Sequence, residues 1–160
     1  MTSLHDKVVS TLYELCRGYK PYSKVYADHV NVPYKVIQIH SQELRRVAAV
    51  YKFQPDVWAR YKRGGVDVFE VWDSQTPSDC TEDILFSALT PGIQYLSIVC
   101  LGRGQYELAK ILSAVILTTL HDEEGKSLLD NRNVLISRIP EEIKSDPQKI
   151  KLQLKKDFEF

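Results

Sequence analysis

At 160 residues the chain is long enough for one compact domain and too short for two ordinary ones. Hydrophobic residues at 44% and charged residues at 26% fit a soluble globular protein and exclude a disordered or collagen-like chain. The 21 basic and 21 acidic side chains cancel, so total charge alone does not mark a nucleic-acid binder.

Met1 to Lys7 lacks the apolar core of a signal peptide, and the longest apolar runs, Ile93 to Leu101 and Ile111 to Leu117, are shorter than a membrane span. The expectation is a single domain over residues 1–160, soluble, intracellular (cytoplasmic) and without a membrane partner. Cys16, Cys80 and Cys100 are odd in number and widely spaced, which gives neither a disulfide framework nor a CxxC metal site. They read as small buried residues.

In chain order, Leu4, Val8, Leu12 and Leu15 recur at helical spacing, predicting a helix from about Ser3 to Tyr19 that Gly18 and Pro21 end. Lys24 to Ile39, rich in Val, Tyr and Ile and broken by Pro33, predicts two short strands. Gln42 to Val50 can form a helix capped by Ser41.

Tyr51 to Gln75 is the most informative stretch. Two β-type runs flank Lys62-Arg63-Gly64-Gly65, which is hairpin chemistry. A three-residue loop, Lys62 to Gly64, places Gly64 at the left-handed position. Opposed residues then sum to 126 in number, and Asp56 falls across from Glu70. One face gathers Phe53, Pro55, Val57, Ala59, Phe69 and Val71 as a core face. The other, with Asp56, Trp58, Arg60, Val68, Glu70 and Trp72, is mixed and polar. A four-residue loop would mix the two faces and separate the acids.

Thr76 to Asp79 reads as a helix entry, with Asp79 and Glu82 at capping-box spacing, and the helix runs to about Leu89. Ile93 to Leu101 suits a strand covered on both faces. A strong amphipathic helix follows, with Leu108, Ile111, Leu112, Val115, Ile116 and Leu120 on its apolar side. Its Gln105 to Leu120 stretch could form a homodimer seam. Val134 to Ile139 is a strand. From Asp146 the pattern fits either a strand or a helix opened by Asp146-Pro147. The expected fold class is α/β (α+β), a central mixed β-sheet flanked by helices on both faces, with the hairpin carrying the acidic pair.

Pro55-Asp56, a hairpin and Glu70-Val71-Trp72 together resemble the PD-(D/E)XK motif of the restriction-endonuclease-like superfamily. The resemblance covers about Tyr51 to Leu101. It implies a fold with a leading helix, a strand meander, a helix and a further strand, and a metal-dependent DNA endonuclease activity. It also implies Mg²⁺ or Mn²⁺ held by Asp56, Glu70 and the Val71 carbonyl. The motif lysine is absent, with Trp72 in its place, and Lys52 is the best substitute because it shares the strand and face of Asp56. An acid from the first helix, Glu14, and Gln75 at the end of the hairpin are further candidates. The alternative is a catalytically degenerate module that binds nucleic acid or protein without cleavage. The plain structural reading is an exposed acidic pair on an edge hairpin.

Arg60, Lys62 and Arg63 at the hairpin tip, with Arg45 and Arg46, could contact the phosphates of double- or single-stranded DNA, or form a solvated basic face. Trp58 and Trp72 could stack on unpaired bases or pack beneath a helix. Gly102-Arg103-Gly104 opens a helix and could take a phosphate, though such a run is usually a turn. The four histidines, His5, His29, His40 and His121, are scattered and suggest no zinc cluster.

Overall fold

The computed structural model describes residues 2–28, 55–89, 92–119 and 133–160. The predicted helix over 42–50, the strand expected beyond Ala27, and Lys52, Arg45, Arg46, His29, His40 and His121 lie outside the described residues.

Helix α1 (Leu4–Arg17) starts where Ser3 Oγ accepts the Asp6 amide at 3.1 Å, and it buries Val8, Val9, Leu12, Leu15 and Cys16 along one stripe. Strands β1 (Tyr22–Ala27), β2 (Val57–Tyr61) and β3 (Val66–Trp72) follow, then α2 (Pro77–Leu89) and β4 (Ile93–Cys100). After these come α3 (Arg103–Thr119), β5 (Val134–Arg138), a 3₁₀ turn (Glu141–Ile143) and α4 (Pro147–Asp157). The sheet runs β1-β2-β3-β4-β5. Its first two pairings are antiparallel and its last two parallel. A parallel pair needs a crossover, and α2 supplies it between β3 and β4.

Each sheet face has its own core. Val57, Ala59, Phe69, Val71 and Val99 pack with Leu12 of α1 and Ile150 and Leu154 of α4. Trp58, Val68, Trp72, Leu96 and Ile98 pack with Ile84 of α2 and Ala109 and Leu117 of α3. The protein is therefore an α/β fold with a mixed sheet between two helical layers. β3 is buried at all seven positions.

Several expectations change in detail. The hairpin face expected to be mixed and polar is covered by α2 and α3, so Trp58, Val68, Glu70 and Trp72 are buried. The capping box of α2 is formed by Thr76 and Asp79, three residues earlier than the expected Asp79 and Glu82. The Asp79 amide donates to Thr76 Oγ1 and the Thr76 amide to Asp79 Oδ2, both at 3.2 Å. On α3 the buried stripe is Ala109, Ser113 and Leu117, while Ile111 and Val115 stand outward. The tail resolves as a helix because Asp146 caps it, accepting from the Gln148 and Lys149 amides, with Pro147 in the first turn. The three cysteines are buried and unbridged.

Ile98 is fully buried and Ile111 is 60% exposed. Ile98→Ala is expected to lower unfolding stability by about 2–5 kcal/mol. Ile111→Ala should stay within about 0.5 kcal/mol. Urea denaturation of both variants checks the assignment of faces.

Candidate functional site

The hairpin places the acids. Its observed pairs are Val57 with Phe69, Trp58 with Val68, Ala59 with Asp67 and Arg60 with Val66, all summing to 126. The loop closes through Tyr61 N–H to the Gly65 carbonyl at 3.0 Å and Gly64 N–H to the Tyr61 carbonyl at 3.1 Å. Gly64 and Gly65 both take positive φ, +94° and +91°, and a Cβ at Gly65 would collide with the Gln94 side chain. One step beyond the paired segment, Asp56 lies at the end of β2 beside Glu70.

Both acids turn to the same side. Glu70 is 5% exposed, and its carboxyl lies close enough to the Asp56 side chain for the two to interact. Burial, the charge of Asp83 and the charge of Asp56 push the Glu70 pKa well above the usual carboxylate range. Two carboxylates in one low-dielectric site cannot both ionise easily. Glu70 Oε1 has no hydrogen-bond partner among the described residues.

Asp56 is held from three directions. Its Oδ2 accepts the Val71 amide at 2.8 Å, and its carbonyl accepts the Asp28 amide at 2.8 Å. His5 Nε2 approaches Oδ1 to 3.5 Å. The bond to Asp56 raises His5 to about 9 against the opposing effect of burial.

A third acid arrives from α2. Asp83 Oδ2 accepts the Trp72 indole N–H at 2.9 Å. Burial raises Asp83 to about 7, opposed by the Trp72 bond and assisted by Asp56's charge. Trp72 is thus fully buried in the motif-lysine position and serves as a donor to Asp83. It offers no open face to a base. Trp58 is 5% exposed and stacks on Tyr26 at 5.3 Å between ring centroids, so it is packed as well. Stacking of either tryptophan on unpaired bases is corrected to core packing.

The remaining candidates separate. Glu14 is exposed near the far end of α1, and the helix reaches the acids through His5 instead. Gln75 closes the strand end, with Nε2 donating to the Val71 carbonyl at 3.0 Å and Oε1 accepting the Asp73 amide at 2.7 Å. Arg60, Lys62 and Arg63 are exposed. The tip lies roughly 20 Å along the strand from Asp56. Sequence reasoning missed His5 and Asp83. Asp83 carried no periodic or motif signal, and His5 was set aside as one of four scattered histidines.

Among the described residues no group of three or more His, Cys, Asp and Glu is arranged to hold a metal ion. A divalent ion there would have two carboxylates, Asp56 and Glu70, and the Val71 carbonyl, which also accepts Gln75 Nε2. The unpartnered Glu70 Oε1 beside Asp56 is compatible with such an occupant, because a cation would offset the repulsion between the two acids. Also among the described residues, no helix is long and apolar enough to cross a membrane. No protein-family model, curated protein or solved structure matches the chain.

The raised His5 pKa contributes stability that is fully present below the ordinary value of 6.5 and is lost as pH rises through about 9. In metal-free buffer the wild-type melting temperature should therefore fall by a few degrees more than that of His5→Gln between pH 6.5 and 9. Parallel melting curves for the two proteins would contradict the pairing. Trp72→Phe removes the donor to Asp83 and leaves a smaller ring in a fully buried position, so a loss of about 2–4 kcal/mol in urea denaturation is expected.

Proposed function

We propose that the protein is a metal-dependent DNA endonuclease that hydrolyses phosphodiester bonds, with Asp56 and Glu70 holding Mg²⁺ or Mn²⁺. The observation that carries this reading is the convergence of the two acids at the end of one hairpin, with a buried carboxylate oxygen left unpartnered. The element order supports it too: a leading helix, a three-strand meander, a helix and a further strand surround the pair. That order is the one the PD-(D/E)XK resemblance implies.

Asp56, Glu70 and the Val71 carbonyl would hold the ion, which supplies a polarised phosphate and a more acidic bound water. The chain's own residues do the rest. The Val71 amide and His5 fix the Asp56 carboxylate, and the packing of β3 fixes Glu70. The Trp72–Asp83 bond favours the charged form of a third acid near the pair, which would strengthen its preference for a cation. Arg60, Lys62 and Arg63 face solvent along the hairpin. The roughly 20 Å from acids to tip matches about six nucleotides of a strand, so phosphate contacts and cleavage would fall on separate nucleotides. Lys52 remains the proposed residue for orienting the water.

A second reading, a nuclease-fold module that binds without cleaving, is favoured by one observation. The motif-lysine position holds a buried tryptophan already committed to Asp83. Incubation with linear, circular and single-stranded DNA and Mg²⁺ or Mn²⁺ decides between them. The endonuclease reading expects cleavage that falls by about 100-fold or more in Asp56→Asn and Glu70→Gln. Salt-dependent binding without cleavage by any ion would establish the second reading. Cleavage unchanged in Glu70→Gln would remove the site from the chemistry.

A further inference from the structure

The sheet ends in an edge with which no described strand pairs. β5 is last in the order and joins only β4, in a register unbroken from Leu96 with Val134 to Cys100 with Arg138. Just beyond it, Ile139 N–H donates to the Cys100 carbonyl at 3.0 Å. Alternate residues of a strand in a parallel ladder turn both backbone groups to the same side, so Leu135, Ser137 and Ile139 face β4. Val134, Ile136 and Arg138 turn theirs outward, where no described group bonds them. The helical layers leave this edge open. A groove of about 360 Å³ lies along it, lined by Ile136, Ser137 and Arg138, by Tyr106 of α3, and by Gln153 and Asp157 of α4.

An open edge is ordinarily blunted by lysine, proline or a bulge, and β5, Val-Leu-Ile-Ser-Arg, has none of them. Val134, Leu135 and Ile136 are half-buried. Val134 and Ile136 pack on the side of α2 and α3, and Leu135 on the side of α1 and α4. Ser137 also turns to α4, where its hydroxyl donates to Asp157 Oδ2 at 2.5 Å. A further strand laid on this edge would pair the outward groups of Val134, Ile136 and Arg138 and cover the exposed parts of the apolar side chains.

We propose that this edge is a homodimer seam, with β5 of a second copy adding antiparallel across a two-fold axis at Ile136, so that two sheets become one. The strand is complementary to itself in that register. Ile136 faces Ile136, and Val134 faces Arg138 of the second copy, so every outward group finds a partner and no like charges are opposed. Leu135 lies across from Ser137. A shift of two residues toward the C-terminus would set Arg138 against its own mate and Ile136 against Pro140, which has no N–H to give. This self-complementarity points to a second copy rather than to a strand of another protein. The seam differs from one along Gln105–Leu120, where Ile111 and Val115 stand exposed on α3. It is independent of the metal reading, since β5 lies two strands away from Glu70.

Sedimentation velocity on the full chain tests it. A species of twice the chain mass should form between about 1 and 200 µM. Val134→Lys sets a like charge beside Arg138 of the second copy at both ends of the seam, whereas Val134→Glu sets an opposite one. The Glu variant should therefore dimerise at least about tenfold more tightly than the Lys variant. In an Arg138→Glu background that order should reverse, which a loss of folding at position 134 could not produce. Ile111→Ser, on the exposed face of α3, should leave the dimer unchanged. A monomer throughout the concentration range overturns the inference and leaves the edge to a strand of another protein. Equal affinities of Val134→Lys and Val134→Glu, an order that Arg138→Glu does not reverse, or loss of the dimer in Ile111→Ser also overturns it.

Discussion

The structure depends on a central strand that is buried on both faces and nevertheless carries two acids. Every residue of β3 is buried, as expected of a strand between two helical layers. Alternation along the strand sends Val68, Glu70 and Trp72 toward α2 and α3, and Asp67, Phe69 and Val71 toward α1 and α4. Each face thus receives one carboxylate that the hydrophobic core cannot solvate. The neighbours of these acids then follow: two tyrosine hydroxyls gather at Asp67, and a second carboxyl meets Glu70.

The two sides resolve the burden differently. Around Asp67 the donors are neutral and oppose the effect of burial, although burial still raises its pKa. Around Glu70 the neighbours are other acids, which push in the same direction as burial. Only an added positive charge can reverse the second situation. His5 supplies one to Asp56 from α1, but it leaves Glu70 Oε1 unsatisfied. Trp72 acts on Asp83, so the residue in the lysine position favours the charged form of a third acid rather than bringing a positive charge.

Much of this was legible in the sequence, for a local reason. The hairpin register followed from a loop with glycine at a left-handed position and from an alternating core pattern, both encoded within about 20 residues. Helix positions followed from apolar spacing. What escaped was set by tertiary packing. The polar-looking face was buried because α2 and α3 lie over it, and nothing in residues 51–75 announces them. Ile111 and Val115 fit the helical period of α3, yet the sheet meets the side bearing Ala109, Ser113 and Leu117. Asp83 reaches the site across a crossover helix, and the tail became a helix through a cap the alternating Ile150, Leu152 and Leu154 obscured.

The places where the local rules fail are themselves informative. A strand serving packing alone would be more stable with apolar side chains at Asp67 and Glu70, because a buried charge group seldom recovers its full desolvation penalty. Both positions instead combine near-complete burial with an oxygen that no described group satisfies. Their carboxyls lie on opposite sides of a single rigid strand, three residues or about 10 Å apart along it. Neither can relieve the other, and the surrounding core prevents either from turning to solvent. Each acid is therefore held at a desolvation cost that packing alone does not offset. The two sites differ in what surrounds them: neutral hydroxyls meet Asp67, while further acids meet Glu70.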